Sequence, residues 1–171
     1  MSLIKNRVHN ELQKCFNDYF QLNLIMDDYV YYLQNKANLI KYADMIHNSM
    51  SHLAPIYADA IQEWADLRED RFQRDNLELS EDFENVVDWT QYVYDYCLEI
   101  ENDLYNVIMV ASEEKDISED FVRGFFIENQ VPFTHQISKF LDAIKRYSEN
   151  DLLPSFNKDF SSYIIPEFQS K

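Results

Sequence analysis

Apolar side chains recur along this chain at alternating spacings of three and four residues, the spacing of one helix face. The first run predicts a helix over about residues 4–35 whose buried face carries Leu12, Cys15, Tyr19, Leu22, Met26, Tyr29 and Leu33. The second run predicts another long helix on Leu39, Ala43, Ile46, Met50, Leu53, Tyr57, Ala60, Trp64 and Leu67. Because only a tight turn near residues 35–38 separates them, we expect an antiparallel helical hairpin.

The pattern changes between residue 68 and about residue 88, where charged side chains dominate and the periodicity weakens. We interpret this stretch as a long connection, with Ser80 as a candidate helix start. A third helix is predicted on Val86, Trp89, Val93, Cys97, Ile100, Leu104, Val107 and Ala111. It should end near Lys115, and a fourth should start around Ser118 and bury Phe121, Phe125, Val131, Ile137, Leu141 and Ile144.

Two helices, a long connection and two more helices predict an all-α four-helix bundle with one long crossover between helices two and three. The chain of 171 residues suits one such domain, which we assign to residues 1–149. Residues 150–171 form a tail that holds Pro154 and Pro166 among aromatic and aliphatic side chains. It is too apolar for a free disordered tail, so we expect it to pack on the bundle or on a neighbouring subunit.

The composition of the chain argues against several classes of function. No stretch approaches the roughly 18 unbroken apolar residues of a membrane span, and the first residues lack the pattern of a secretory signal, so a soluble, cytoplasmic protein is expected. A net charge of −16 argues against nucleic acid as a partner, because such binding relies on Lys and Arg. The single glycine, Gly124, argues against phosphate-binding loops, which need several.

The cysteines and two of the histidines offer no chemical motif. Cys15 and Cys97 lie about 80 residues apart, which matches neither a zinc spacing nor a disulfide framework, so both should be buried as small apolar residues. His9 and His135 have no partner pattern and are expected at the surface.

Several segments resemble ferritins. Residues 98–102 (Leu-Glu-Ile-Glu-Asn) look like the third-helix pattern L-E-L-E-K, and residues 111–116 resemble the A-x-E-x-x-D turn before the fourth helix. Residues 120–131 are similar to the stretch D-F-L…E-Q-V, and residues 29–31 to the Y-V-Y of the first helix. Residues 46–66 resemble the corresponding helix of the mini-ferritins that shelter DNA. Over about residues 10–147 the chain thus resembles the ferritin superfamily, which implies a ferritin-like bundle, ferroxidase chemistry at a di-iron site and a role in iron storage.

The di-iron site of that family needs carboxylates and histidines that converge inside the bundle. The matched segments place other residues at most of those positions: Leu24, Leu53, Ile56 and Cys97, with Glu101 one turn after Cys97. Gln130 matches the family site as expected. In the mini-ferritin alternative, a site between subunits, His47 and Asp66 match, whereas Gln62 replaces the aspartate.

A rebuilt metal site is one hypothesis. His52 and Asp59 share a helix face at a spacing of seven, and Glu101 or Asp27 could join them across the core. The candidate metal ligands are therefore Glu101, Gln130, His52 and Asp59, with iron as the candidate cofactor, and the alternative is that the site is absent.

Two prolines bear on that choice. Pro55 and Pro132 fall within the second and fourth predicted helices near the level of the iron site, where proline removes a hydrogen bond and usually kinks the helix. Together with the missing ligands this favours a site that is lost or rebuilt. Alternatively, Pro55 begins a new helix after Ser51.

The sequence therefore favours a ferritin-like protein of the iron-storage superfamily with an impaired or lost di-iron site. The alternative is a metal-free helical scaffold that binds a partner protein through its aromatic surface or its tail. We expect a homo-oligomer, at least a dimer and with a cage of 12 or 24 chains as the larger form, because one core should not absorb all of Tyr19, Tyr29, Tyr31, Tyr32 and Tyr57.

Overall fold

The computed structural model describes residues 1–169, and within them the chain is all-helical. The α-helices are α1 (Asn6–Asn35), α2 (Ile40–Ile46), α3 (Leu53–Leu67), α4 (Val86–Glu114), α5 (Ser118–Phe125), α6 (Val131–Glu149) and α7 (Leu153–Asp159). A π-helical turn at His47–Ser51 joins α2 to α3, and another at Phe126–Gln130 joins α5 to α6. The result is four long helical rods: α1, α2 with α3, α4, and α5 with α6. One long crossover joins the second rod to the third, as the apolar pattern predicts. No helix in the described part of the chain is long and apolar enough to cross a membrane.

The first rod, α1, packs against both α4 and α3. All seven apolar residues that the spacing predicts for its inner face are buried. On the second rod the prediction holds as far as Met50 and again at Tyr57, but Leu53, Ala60 and Trp64 are only half-buried. Beyond the π turn the buried set is Ala54, Tyr57, Ala58, Ile61 and Ala65, whereas the predicted Leu67 is 77% exposed. A π turn adds one residue to the helix, so the inner face shifts by one position after it.

Each π turn lies just before a proline. Pro55 has no N–H to donate to the carbonyl of Ser51, four residues earlier, and its ring would crowd that carbonyl in a regular α-helix. In the structure Asn23 Nδ2 of α1 donates to the Ser51 carbonyl instead, at 3.2 Å. The Ser51 hydroxyl also donates to Asp27 Oδ1 at 2.6 Å. The rod therefore runs past Pro55 without leaving helical dihedral angles, and α3 begins at Leu53.

The crossover between α3 and α4 is extended rather than helical, and α1 holds it. Three amide side chains spaced one turn apart on α1 contact it: Gln13, Asn17 and Gln21. Asn17 donates from Nδ2 to the Gln73 carbonyl at 2.9 Å and accepts from the Asp75 N–H at 2.8 Å. Gln21 makes the same pair of bonds with the backbone of Glu78 at 2.8 and 2.9 Å. The amides thus replace the neighbouring strand that an extended segment would otherwise need.

The third rod begins later than Ser80, so that candidate start was wrong. Helix α4 starts at Val86 because Asn85 caps it, accepting the N–H of Asp88 at 2.9 Å. At its other end Lys115 adopts the left-handed conformation with φ 54°, which ends the helix where the sequence predicts. Asp116 then accepts the N–H groups of Lys5 and Ser118, at 2.8 and 2.9 Å. Burial raises the pKa of Asp116, but these bonds outweigh it and hold the pKa below its usual value.

The tail packs on the bundle at the end where α2 and α6 meet. Phe156 of α7 is fully buried, with its ring edge-on to that of Tyr42 at 4.8 Å. Asn157 Oδ1 accepts the N–H of Tyr42 at 3.1 Å. Gln136 of α6 donates to the Tyr163 carbonyl at 3.0 Å and accepts the Ile165 N–H at 2.8 Å. Apolar burial and paired backbone groups therefore both order this segment.

Four of the five tyrosines that were expected to form an aromatic surface are buried. Tyr19 and Tyr29 have no exposed area, Tyr57 and Tyr32 are 5% and 6% exposed, and Tyr31 alone of the five is well exposed, at 62%. The core absorbs the other four because aromatic rings pack against them, and three of the hydroxyls, those of Tyr19, Tyr29 and Tyr32, have hydrogen-bond partners. One such partner set is the Tyr29 hydroxyl with Thr90 Oγ1 at 2.7 Å. The argument for an interface built on these tyrosines was wrong.

Candidate functional site

A polar network lies inside the bundle, midway along its rods. Tyr19 of α1 donates from its hydroxyl to Gln130 Oε1 at 2.7 Å, and Gln130 Nε2 donates to Thr134 Oγ1 at 3.0 Å. Tyr19 and Gln130 have no exposed surface, and Thr134 is 7% exposed. Because buried polar groups are costly unless paired, these bonds fix the three side chains relative to one another.

Aromatic rings enclose this network. The ring centres of Tyr57 and Phe125 lie 5.5 and 5.7 Å from that of Tyr19, both edge-on, and Phe133 lies 6.3 Å from Tyr57. Burial raises the pKa of Tyr57 to about 12 and that of Tyr19 well above its usual 10. Both phenols are therefore neutral at physiological pH, so neither offers an anionic ligand.

Two thiols lie on the inner faces of α1 and α4. Cys15 and Cys97 are fully buried and unpaired, as the sequence predicts. Burial raises the pKa of each thiol well above its usual value of 9. Since the thiolate is the form that binds metals and acts as a nucleophile, neither cysteine is suited to such chemistry here.

The predicted metal ligands are dispersed over the bundle. Gln130 lies in the core, Glu101 is half-buried on α4, and His52 and Asp59 are exposed on the second rod. Asp27 is exposed as well, where it accepts from Ser51 rather than reaching across the core. Within residues 1–169 no group of three or more His, Cys, Asp or Glu side chains is arranged to hold a metal ion.

The π turn explains why counting along the sequence assigned the wrong residues of the second rod to the interior of the bundle. The matching put Leu53 and Ile56 at ligand positions, yet Ile56 is 56% exposed. One residue later, Ala54 and Tyr57 are buried. On α1 the residue that faces Gln130 is Tyr19, and Leu24 lies about 140° further around that helix. The positions inside the bundle are therefore filled by aromatic and small side chains, and Tyr19 and Tyr57 already belonged to the apolar stripes that the sequence shows.

An acidic cleft of about 600 Å³ lies beside this core, between α1, α4 and the crossover. Asp18 and Asp103 face each other there, and Lys14 Nζ donates to Asp103 Oδ1 at 2.9 Å. Burial, the hydrogen bond shared with Asp103 and the negative charges of Asp103 and Glu99 raise the pKa of Asp18 to about 9. At neutral pH the carboxyl of Asp18 therefore keeps its proton. Sequence reasoning missed this pair, since nothing in the local pattern brings residues 18 and 103 together.

Solved structures with the same arrangement of rods decide the fold. An Archaeoglobus fulgidus ferritin engineered into a closed form superposes with a TM-score of 0.79, at 14% identity, over 91% of this chain and 95% of that one. A humanized archaeal ferritin superposes with a TM-score of 0.78, at 14% identity, over 91% and 94%. The chain has a ferritin-like fold. No family sequence profile and no curated protein sequence matches it.

The interior of this ferritin-like bundle does not fit a di-iron centre. Iron(II) prefers carboxylate oxygen and imidazole nitrogen as ligands. The groups facing the interior near Gln130 are instead neutral phenols and phenyl rings, together with the hydroxyl of Thr134. Of the residues that the sequence proposed as iron ligands, Gln130 is the one in this interior, and both ends of its amide already bind protein groups.

Proposed function

We propose that this chain is a divergent ferritin-superfamily protein whose di-iron site is lost and which acts as a homo-oligomeric helical scaffold. The observation that carries the proposal is the hydrogen bond between Tyr19 and Gln130, enclosed by Tyr57 and Phe125. This closed aromatic core supports the loss of the site, because it surrounds Gln130, the residue expected at the family's iron site, without a carboxylate. The likeness to ferritins supports descent from proteins of that fold.

A groove on the α1–α3 face supports self-association. Ferritins pair through their first two helices, and here that face carries a groove of about 700 Å³. Asp59 and Asp66 line one side of it and Arg71 and Arg74 the other, with the Arg74 guanidinium 3.7 Å above the Phe20 ring. A two-fold interface needs a self-complementary surface, and charges of both signs on one face meet that need.

Two observations weigh against the alternative, a metal-free scaffold that binds a different protein through its aromatic surface or its tail. Four of the five tyrosines are buried, and Phe156 anchors the tail in the bundle.

Two measurements test the proposal. Ferrous iron added aerobically to the apo-protein should show no fast oxidation phase, because the described side chains around Gln130 include no carboxylate. A fast phase that saturates at about two irons per chain would overturn the loss of the site, and the first residues to replace would then be Glu101, Gln130, His52 and Asp59.

Light scattering on the purified chain should give a dimer or a larger particle. Arg74→Glu should weaken the assembly, and adding Asp59→Arg should restore it if the two charges meet across a two-fold axis. A monomeric wild type would refute the interface. A dimer supports the scaffold function, and a particle of 12 or 24 chains would favour iron storage despite the missing ligands.

A further inference from the structure

Two histidine rings lie against each other on the outer face of the second rod. The ring centres of His47 and His52 are 4.5 Å apart, with an interplanar angle of 67°. His52 is exposed and His47 is half-buried, so solvent reaches the pair. Neither residue belongs to the network around Gln130.

The π turn brings these rings together. In a regular α-helix, side chains five residues apart point about 140° away from each other. A π-helical turn closes its hydrogen bonds between residues five apart and therefore places them on the same face. The turn at His47–Ser51 does this for His47 and His52. The hydrogen bonds that Ser51 accepts from Asn23 and donates to Asp27 hold the turn against α1. Pro55 thus accounts for the turn, and the turn accounts for the histidine pair.

The separation of the rings suits two ligands of one metal ion. Imidazole nitrogens bind zinc at about 2.0–2.1 Å, so two rings on one ion have centres about 4.5 Å apart when the bonds meet at a right angle and about 5.2 Å apart at the tetrahedral angle. Imidazole is a preferred ligand of zinc, copper and nickel, whereas magnesium and calcium prefer oxygen. The charge of −16 on the chain also raises the local concentration of cations.

We propose that His47 and His52 form a surface site for a divalent late transition metal ion, zinc, copper or nickel. The described residues add no third histidine, cysteine or carboxylate to the pair. Water therefore fills the remaining coordination positions, and the site exchanges its metal readily rather than serving as a structural centre. The proposal is independent of the iron chemistry and of the oligomeric state.

Calorimetric titration with Zn(II) alone tests the site. We expect one Zn(II) per chain, at least tenfold weaker binding by His47→Ala and by His52→Ala, and unchanged binding by His135→Ala, which removes an exposed histidine on α6. Titration with Mg(II) should give no heat of binding. Absence of Zn(II) binding, or an equal loss in the His135→Ala control, would overturn the assignment.

A spectroscopic measurement keeps the test independent of the variants' folding. Electron paramagnetic resonance of the wild type with one equivalent of Cu(II) should show coupling to two imidazole nitrogens. Coupling to a single nitrogen contradicts the proposal.

Discussion

Tyr19 of α1 and Gln130 of the fourth rod are joined by a 2.7 Å hydrogen bond inside the bundle, and neither side chain has any exposed surface. Gln130 uses its amide nitrogen for Thr134 at the same time, so one amide links three groups. From the sequence, Gln130 was expected at the iron site of the ferritin family. In this chain that residue holds the core together.

Replacing either partner should destabilise the fold, and the two losses should not add. Tyr19→Phe leaves Gln130 Oε1 buried without its donor and should cost about 1–3 kcal/mol. Gln130→Met removes the acceptor and the donor to Thr134 and should cost a similar amount. The double variant should lose less than the sum, with a coupling of about 0.5–3 kcal/mol in urea unfolding. Additive losses would show that the bond contributes nothing beyond packing.

The contact between Asn23 and Ser51 should matter because residue 55 is proline. Asn23→Ala removes the donor to the Ser51 carbonyl and should cost about 1 kcal/mol in the wild-type background. In a Pro55→Ala background the new N–H of residue 55 can donate to that carbonyl, so the same change should cost clearly less. Urea unfolding of the four proteins measures the difference. Equal costs in the two backgrounds would mean that Asn23 does not compensate for the missing N–H.

The sequence predicts the rods well, and it predicts their buried faces well wherever the helix is regular. Helical periodicity gives the inner face of α1 correctly from Leu12 to Leu33 because that helix is uninterrupted. On the second rod the same counting is one residue out of step after Met50, except at Tyr57, since the π turn adds a residue that the periodicity does not show. Pro55 marks the place in the sequence, but proline alone does not say whether the helix kinks, restarts or widens.

The polar pairs show a second limit of prediction from the sequence. Gln130 was named from the sequence, but its partner Tyr19 looked like any other residue of the apolar stripe. Asp18 and Asp103 come from helices far apart in sequence, so only the packing of α1 on α4 brings them together. By contrast, Gln13, Asn17 and Gln21 stand one turn apart, a spacing that the sequence does show. Local spacing is thus readable, whereas the choice of partner depends on tertiary packing.

The crossover should lose its order locally when an amide of α1 is removed. Asn17 pairs with the backbone of Gln73 and Asp75, and Gln21 pairs with that of Glu78. In Asn17→Ala the amide hydrogen of Asp75 should exchange much faster, because its acceptor is gone, while that of Glu78 keeps its protection. Hydrogen exchange resolved by residue measures both. Uniform loss of protection along the crossover would indicate that it opens as one unit.

The facing carboxyls in the acidic cleft should make stability depend on pH in a defined direction. The carboxyl of Asp18 loses its proton near its ordinary value of 3.8 in the unfolded chain, but keeps it to about pH 9 in the folded protein, because of burial and the carboxyl of Asp103. Between these values the folded state binds the extra proton, so the free energy of unfolding falls as the pH rises.

Asp18→Asn should remove this dependence, because the amide resembles the protonated carboxyl in shape and does not titrate. We expect the variant to be more stable than the wild type at pH 8, by about 1 kcal/mol or more, and the difference to shrink towards pH 4. Urea unfolding at several pH values between 4 and 9 measures both slopes. Asp142→Asn, at an exposed position on α6, is the matched control and should follow the wild type. Parallel slopes for wild type and Asp18→Asn would mean that Asp18 is ionised in the folded protein, and that Lys14 rather than a shared proton balances the pair.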